Sequence, residues 1–138
     1  MTTHAFVDAR VEVNSVDLSE WNTGVTLPIE FDELDDSAMG DTGRSRIAGV
    51  QDSNLSASWN QDFAASAVDA TIYAALGTVV VVKVRPTSAA IAATNPEYVG
   101  SYLISKYSPF ASSFGDLAKT DTEWPLSDPD GIDRDTSA

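Results

Sequence analysis

The sequence predicts a mainly β protein, an antiparallel β-sandwich or partial barrel with one α-helix packed on its side. Three observations carry this. Several segments alternate apolar and polar residues with period two, the pattern of a strand with one buried and one wet face. A single segment repeats its apolar residues at helical spacing instead. Gly, Pro, Asn, Asp and Ser fall between the segments, where a chain must turn. With 138 residues, 43% of them hydrophobic, the chain suits one domain with a real core.

The elements follow in order. Phe6–Asn14 alternates, with Val7, Ala9, Val11 and Val13 on one face. Asn14-Ser15 reads as a turn, and Val16–Trp21 as a single helical turn that Asp17 or Ser19 could cap. Thr23–Asp32 is the cleanest strand, placing Val25, Leu27, Ile29 and Phe31 opposite Thr26, Pro28, Glu30 and Asp32. Pro28 cannot donate to a ladder, which predicts an edge or bulge there. Glu33–Asn54, rich in Asp and Gly, reads as a long mobile loop or an extended hairpin; structureless loops of that length are usually functional. Asn54–Gln61 alternates again. The helix runs from Phe63 to Leu76, with Asp62 as N-cap and Gly77 closing it. Thr78–Arg85, nearly continuous in Val, predicts a strand buried on both faces. Pro86–Pro96 is a small-residue connection. Glu97–Ser108 is a long strand, Ser112–Asp116 a turn, and Leu117–Leu126 a last strand whose Lys119, Asp121 and Glu123 form a wet face. The expected organisation is a β domain over residues 1–127, with a loop at 33–54 and a helix at 62–77, followed by an acidic arm at 128–138 that is flexible alone.

Charge narrows the function. The chain has 21 Asp+Glu against 8 Lys+Arg, one His and no Cys, for a formal net charge of −13. Such a surface repels nucleic acid in free solution. The absence of Cys rules out a disulfide framework and a thiolate metal site. His4, near a terminus, has no evident partner for acid–base work, and no nucleotide, hydrolase or metalloprotease motif occurs. No enzyme activity, cofactor or metal is expected. Asp128–Asp135 superficially looks like a calcium loop but fails on spacing: Gly131 falls at position 4 where an EF-hand needs position 6. The acids around Asp32–Asp41 read as a solvated loop. The N-terminus has no basic region followed by an apolar run, and Val79–Val82 is far short of the roughly 18 residues of a membrane span. A soluble protein made in a cytoplasm is the expectation.

The arrangement resembles the tail tube (major tail) proteins of long-tailed bacteriophages. The features that carry the resemblance are Val16–Trp21 before an alternating strand, an acidic loop with Gly40-Asp41 and Arg44, Ser58–Asp62 leading into a helix, Asn95–Gly100 opening a long strand, and a polar last strand with a short tail. The resemblance implies a structural virion protein of the tail, made in the host bacterial cytoplasm. Its hexameric rings would stack into a hollow tube, a continuous β-barrel through which double-stranded DNA passes without specific binding. Its partners would be further copies of itself and the tape measure, tail terminator and baseplate or tip proteins. On that reading Glu30 and Asp32 are candidates to line the lumen. Loop 33–54 would reach an adjacent ring through Asp35, Asp36, Asp41, Arg44 and Arg46, the two arginines pairing with a neighbour's acids. The N-terminal segment and the tail, through Asp130, Asp133 and Arg134, would be arms that order on assembly. The alternatives are a capsid decoration or head–tail connector/tail terminator protein, which would share the acidity and the β-rich fold, and a calcium- or carbohydrate-binding β-sandwich.

Overall fold

A computed structural model describes residues 9–136. His4 and the start of the first predicted strand lie outside the described residues. The fold is mainly β, with antiparallel sheets and one α-helix. Strands β1 (Arg10–Val13), β2 (Val16–Asp17), β7 (Val79–Arg85), β8 (Glu97–Leu103) and β10 (Asp133–Asp135) form a five-stranded sheet in the order β10-β8-β7-β1-β2. Strands β3 (Asn22–Thr26), β6 (Asn54–Asn60) and β9 (Lys119–Pro125) form a second sheet in the order β3-β6-β9. Strands β4 (Glu30–Asp35) and β5 (Arg46–Asp52) pair only with each other.

The two larger sheets share one core. Val11, Val13, Val80, Val82 and Tyr102 enter it from the five-stranded sheet; Leu55, Ala57, Trp59 and Trp124 enter from the other. Polar atoms within the core are paired, as burial requires. Trp59 Nε1 donates to Thr122 Oγ1 at 2.9 Å, and the Thr122 hydroxyl donates to the Ala57 carbonyl at 3.2 Å. After β8 the chain crosses toward the second sheet, where Trp124 Nε1 donates to the Lys106 carbonyl and Thr120 Oγ1 to that of Ser108.

Several expectations are corrected. The strand expected over Thr23–Asp32 is two strands in different sheets, because Pro28 has no N–H to donate and the chain leaves the ladder there. The segment 33–54 is a hairpin whose second strand runs almost directly into β6. The helix α1 spans Val68–Ala75, shorter than predicted. The Asp62 carboxylate is spent on the Ala64 N–H and the Trp21 indole, and Ser66 takes a positive φ of 61°, so residues 62–67 turn before helix begins. Ala67 precedes the first turn with no side-chain cap. Strand β7 is not buried on both faces: Val80 and Val82 are core, Val79 and Val81 exposed. The long strand expected from Glu97 stops at Leu103. The tail expected to be free contributes β10, paired to the edge of β8.

Two predictions hold in detail. Residues Ser19–Trp21 form one turn of 3-10 helix, with the Asp17 carboxylate accepting the Ser19 N–H. On β9, Thr120, Thr122 and Trp124 are buried while Lys119, Asp121 and Glu123 are exposed.

Candidate assembly surfaces

The β4–β5 hairpin forms an arm. Its strands pair with a register shift between Phe31 and Glu33 that inserts an extra residue on the β5 side, near Gly49 and Val50. A Cβ at Gly49 would lie 3.1 Å from Asp32 Cβ and 3.3 Å from Leu34 Cγ, so a bare backbone lets the strands close there. Neither strand joins either larger sheet. Consequently large apolar side chains stay in water: Leu34 sits opposite Ile47, and with Phe31 both are about half exposed, while Val50 is 75% exposed. The adjoining Ile29 is also exposed.

The charged groups of the arm are arranged around its tip. Arg44 Nη1 lies 2.6 Å from Asp35 Oδ2, and Arg46 Nε lies 4.0 Å from Glu33 Oε2. The Ser37 backbone N–H, the Ser37 hydroxyl and the Arg44 guanidinium hold the Asp35 carboxyl below the usual carboxylate range. Asp41 closes its own turn by accepting the Ala38 N–H at 2.7 Å, and the Asp36 N–H donates to the Ser45 carbonyl. The structure thus gathers Asp35, Asp36, Asp41, Arg44 and Arg46 on one arm. It corrects the expected role of the arginines, whose acids come from the same hairpin. These exposed pairs shape the arm and are worth little to its stability.

The other candidates lie elsewhere. Glu30 sits opposite Asp52 at the base of the arm, and Asp32 lies further along β4; neither is on a face of the larger sheets. Asp130 occupies a turn in which its N–H donates to Asp128 Oδ1. Asp133 and Arg134 lie on β10, with Arg134 Nε donating to the Tyr98 hydroxyl at 3.3 Å. Among the described residues, no three acidic or histidine side chains converge as a metal site would require.

The sheets differ at their margins. The five-stranded sheet ends in β2, two residues long, and β10, three residues long. The three-stranded sheet ends in β3 and β9, of five and seven residues, and among the described residues no strand pairs with the far side of either. The wet face of this sheet carries Asp121, Glu123 and Lys119 from β9 beside Ser56 and Ser58 from β6. Sequence reasoning missed the apolar half of the arm. Its signal was present: the run Ile47-Ala48-Gly49-Val50, within an otherwise acidic stretch, and Leu34 between acids.

No protein-family model matches the chain, and no curated protein matches it at a meaningful level.

Proposed function

We propose that the protein is a structural subunit that assembles with copies of itself, and that the assembly is the hexameric-ring tail tube suggested by the sequence resemblance. The observation that carries this is the arm. A hairpin that leaves Phe31, Leu34, Ile47 and Val50 exposed, and joins neither sheet, is built to be covered by something outside the chain. The long uncovered edges of β3 and β9 support the same reading, since an edge that is a liability in a monomer becomes a joint between subunits. A β3 edge meeting a neighbour's β9 edge is a head-to-tail contact, the kind that generates rings. The acidic wet face of the three-stranded sheet, with Asp121 and Glu123, suits a wall past which DNA slides without sticking. It replaces Glu30 and Asp32 as the preferred lumen lining in this proposal.

Negative-stain electron microscopy of the purified protein at rising concentration tests the proposal. Hollow tubes or stacked rings are expected, and their loss is expected in a Phe31→Asp/Leu34→Asp/Ile47→Asp variant that remains folded. A monomer or trimer at every concentration would overturn the tube and favour a decoration protein.

A further inference from the structure

Strand β8 is a hazardous edge that its own chain covers. Its sequence, Glu97-Tyr98-Val99-Gly100-Ser101-Tyr102-Leu103, holds one charge, two tyrosines, no Lys and no Pro. Strands of that composition pair readily with another chain when bare. One side is taken by β7. Along the other runs the segment Leu126–Asp135. Leu126 bridges to Tyr102, the Ser127 N–H donates to the Ser101 carbonyl at 2.9 Å, and β10 sets Asp133, Arg134 and Asp135 opposite Val99, Tyr98 and Glu97. The cover is the opposite of what it covers. It is three residues long and every residue is charged, the two properties that blunt an edge.

Two seats hold the cover in place. A Cβ at Gly100 would come within 3.3 Å of Ile132 Cγ1, so the missing side chain makes room for Ile132. On the arm, Gln51 Oε1 accepts the Ile132 N–H at 2.7 Å, and a side chain on Gly131 would collide with the same oxygen. Gly131 has φ +79°, where only glycine sits without strain.

We infer that residues 126–135 are a removable edge guard, and that the β8 edge beneath them is a docking site for the β8 edge of a second copy of this chain. Antiparallel pairing about Gly100 sets Glu97 opposite Leu103 and Val99 opposite Ser101, so the single charge of each strand avoids its twin. The contact is isologous and closes at two copies. The guard carries Asp128, Asp130, Asp133 and Asp135 against Arg134 alone, on a chain of net charge −13. Self-repulsion therefore favours release as ionic strength falls. The inference does not rest on the tube reading, which places its joints on the other sheet.

The test compares four chains by light scattering after size exclusion, below the concentration at which the full chain assembles, with near-ultraviolet circular dichroism to report folding. They are the full chain, a truncation ending at Ser127, a Gln51→Ala/Ile132→Asp variant that keeps the whole chain, and a Val99→Cys/Asp133→Cys variant. The last joins facing residues in a chain that has no other cysteine. The truncation and the seat variant are expected to double in mass relative to the full chain, more completely at low salt. The oxidised cysteine variant is expected to keep the full chain's mass. Folded truncation and seat variants that match the full chain in mass would overturn the inference. So would loss of fold in both, which would make the segment part of the core and not a guard.

Discussion

Glu97→Ala should be among the most damaging single substitutions in the molecule. Glu97 Oε2 lies 3.1 Å from Arg85 Nε, and the two side chains are only 8% and 13% exposed. The Nε–H is close enough for an ion pair but is not aligned as a hydrogen bond to any partner. Apart from Glu97, the guanidinium has the Ala89 carbonyl, 2.8 Å from Nη1. At that separation and an effective dielectric near 20, the attraction is about 5 kcal/mol before desolvation is charged against it. Burying each ion costs several kcal/mol, so the intact pair contributes little net stability. Removing the carboxylate alone is different, because the arginine stays buried with its charge uncompensated; the expected loss is about 3–5 kcal/mol. Urea unfolding followed by the fluorescence of Trp59 and Trp124 measures it as a lower midpoint at unchanged slope. The double change Arg85→Met/Glu97→Leu should recover most of the loss, since it removes both charges together. A loss below about 1 kcal/mol for Glu97→Ala, the range of an exposed pair, would refute the reasoning.

Other outcomes follow from the same structure. Thr122→Val removes the acceptor of the Trp59 indole in the core and should cost about 1–3 kcal/mol in the same unfolding assay. Burial pushes the Tyr107 phenol up to about 12, with Gln61 opposing the rise and Asp69 adding to it. The folded chain therefore holds that proton more tightly than the unfolded chain, so stability should fall as pH rises from about 10 to about 12, and Tyr107→Phe should flatten that slope. Asp35 is shifted the other way, so its contribution is present above the ordinary carboxylate range and is lost on acidification; Asp35→Asn should make the acid limb of the stability curve shallower. Gly77 has φ +84° after the helix, and Gly77→Ala should lower stability by about 1–2 kcal/mol through backbone strain alone, since nothing lies within 4 Å of the added methyl.

The elements legible in the sequence were those whose pattern is set by one buried face. Strand β9 alternates because Thr120, Thr122 and Trp124 face the core and Lys119, Asp121 and Glu123 face water. The misread elements answer to something beyond their own residues. Four valines in a row on β7 look doubly buried, yet no layer covers Val79 and Val81. Asp133-Arg134-Asp135 has no strand-like composition, and its pairing comes from the hydrogen-bonding groups of β8. The arm was half legible: the acids and glycines marked 33–54 as unusual, but its strands lack a core face, so no period stood out. The proposed assembly residues Asp35, Arg44 and Arg46 could be named from composition. Their mutual pairing could not, because it depends on the register of the hairpin.

The separation between the arm and the two sheets has a bearing on how such a chain can change. Phe31, Leu34, Ile47 and Val50 are absent from the shared core, so replacing them leaves the packing that holds the body together intact. Substitutions there escape the stability threshold that polices the interior. The molecule is accordingly divided into a part that must stay as it is to fold and a part free to drift toward new partners.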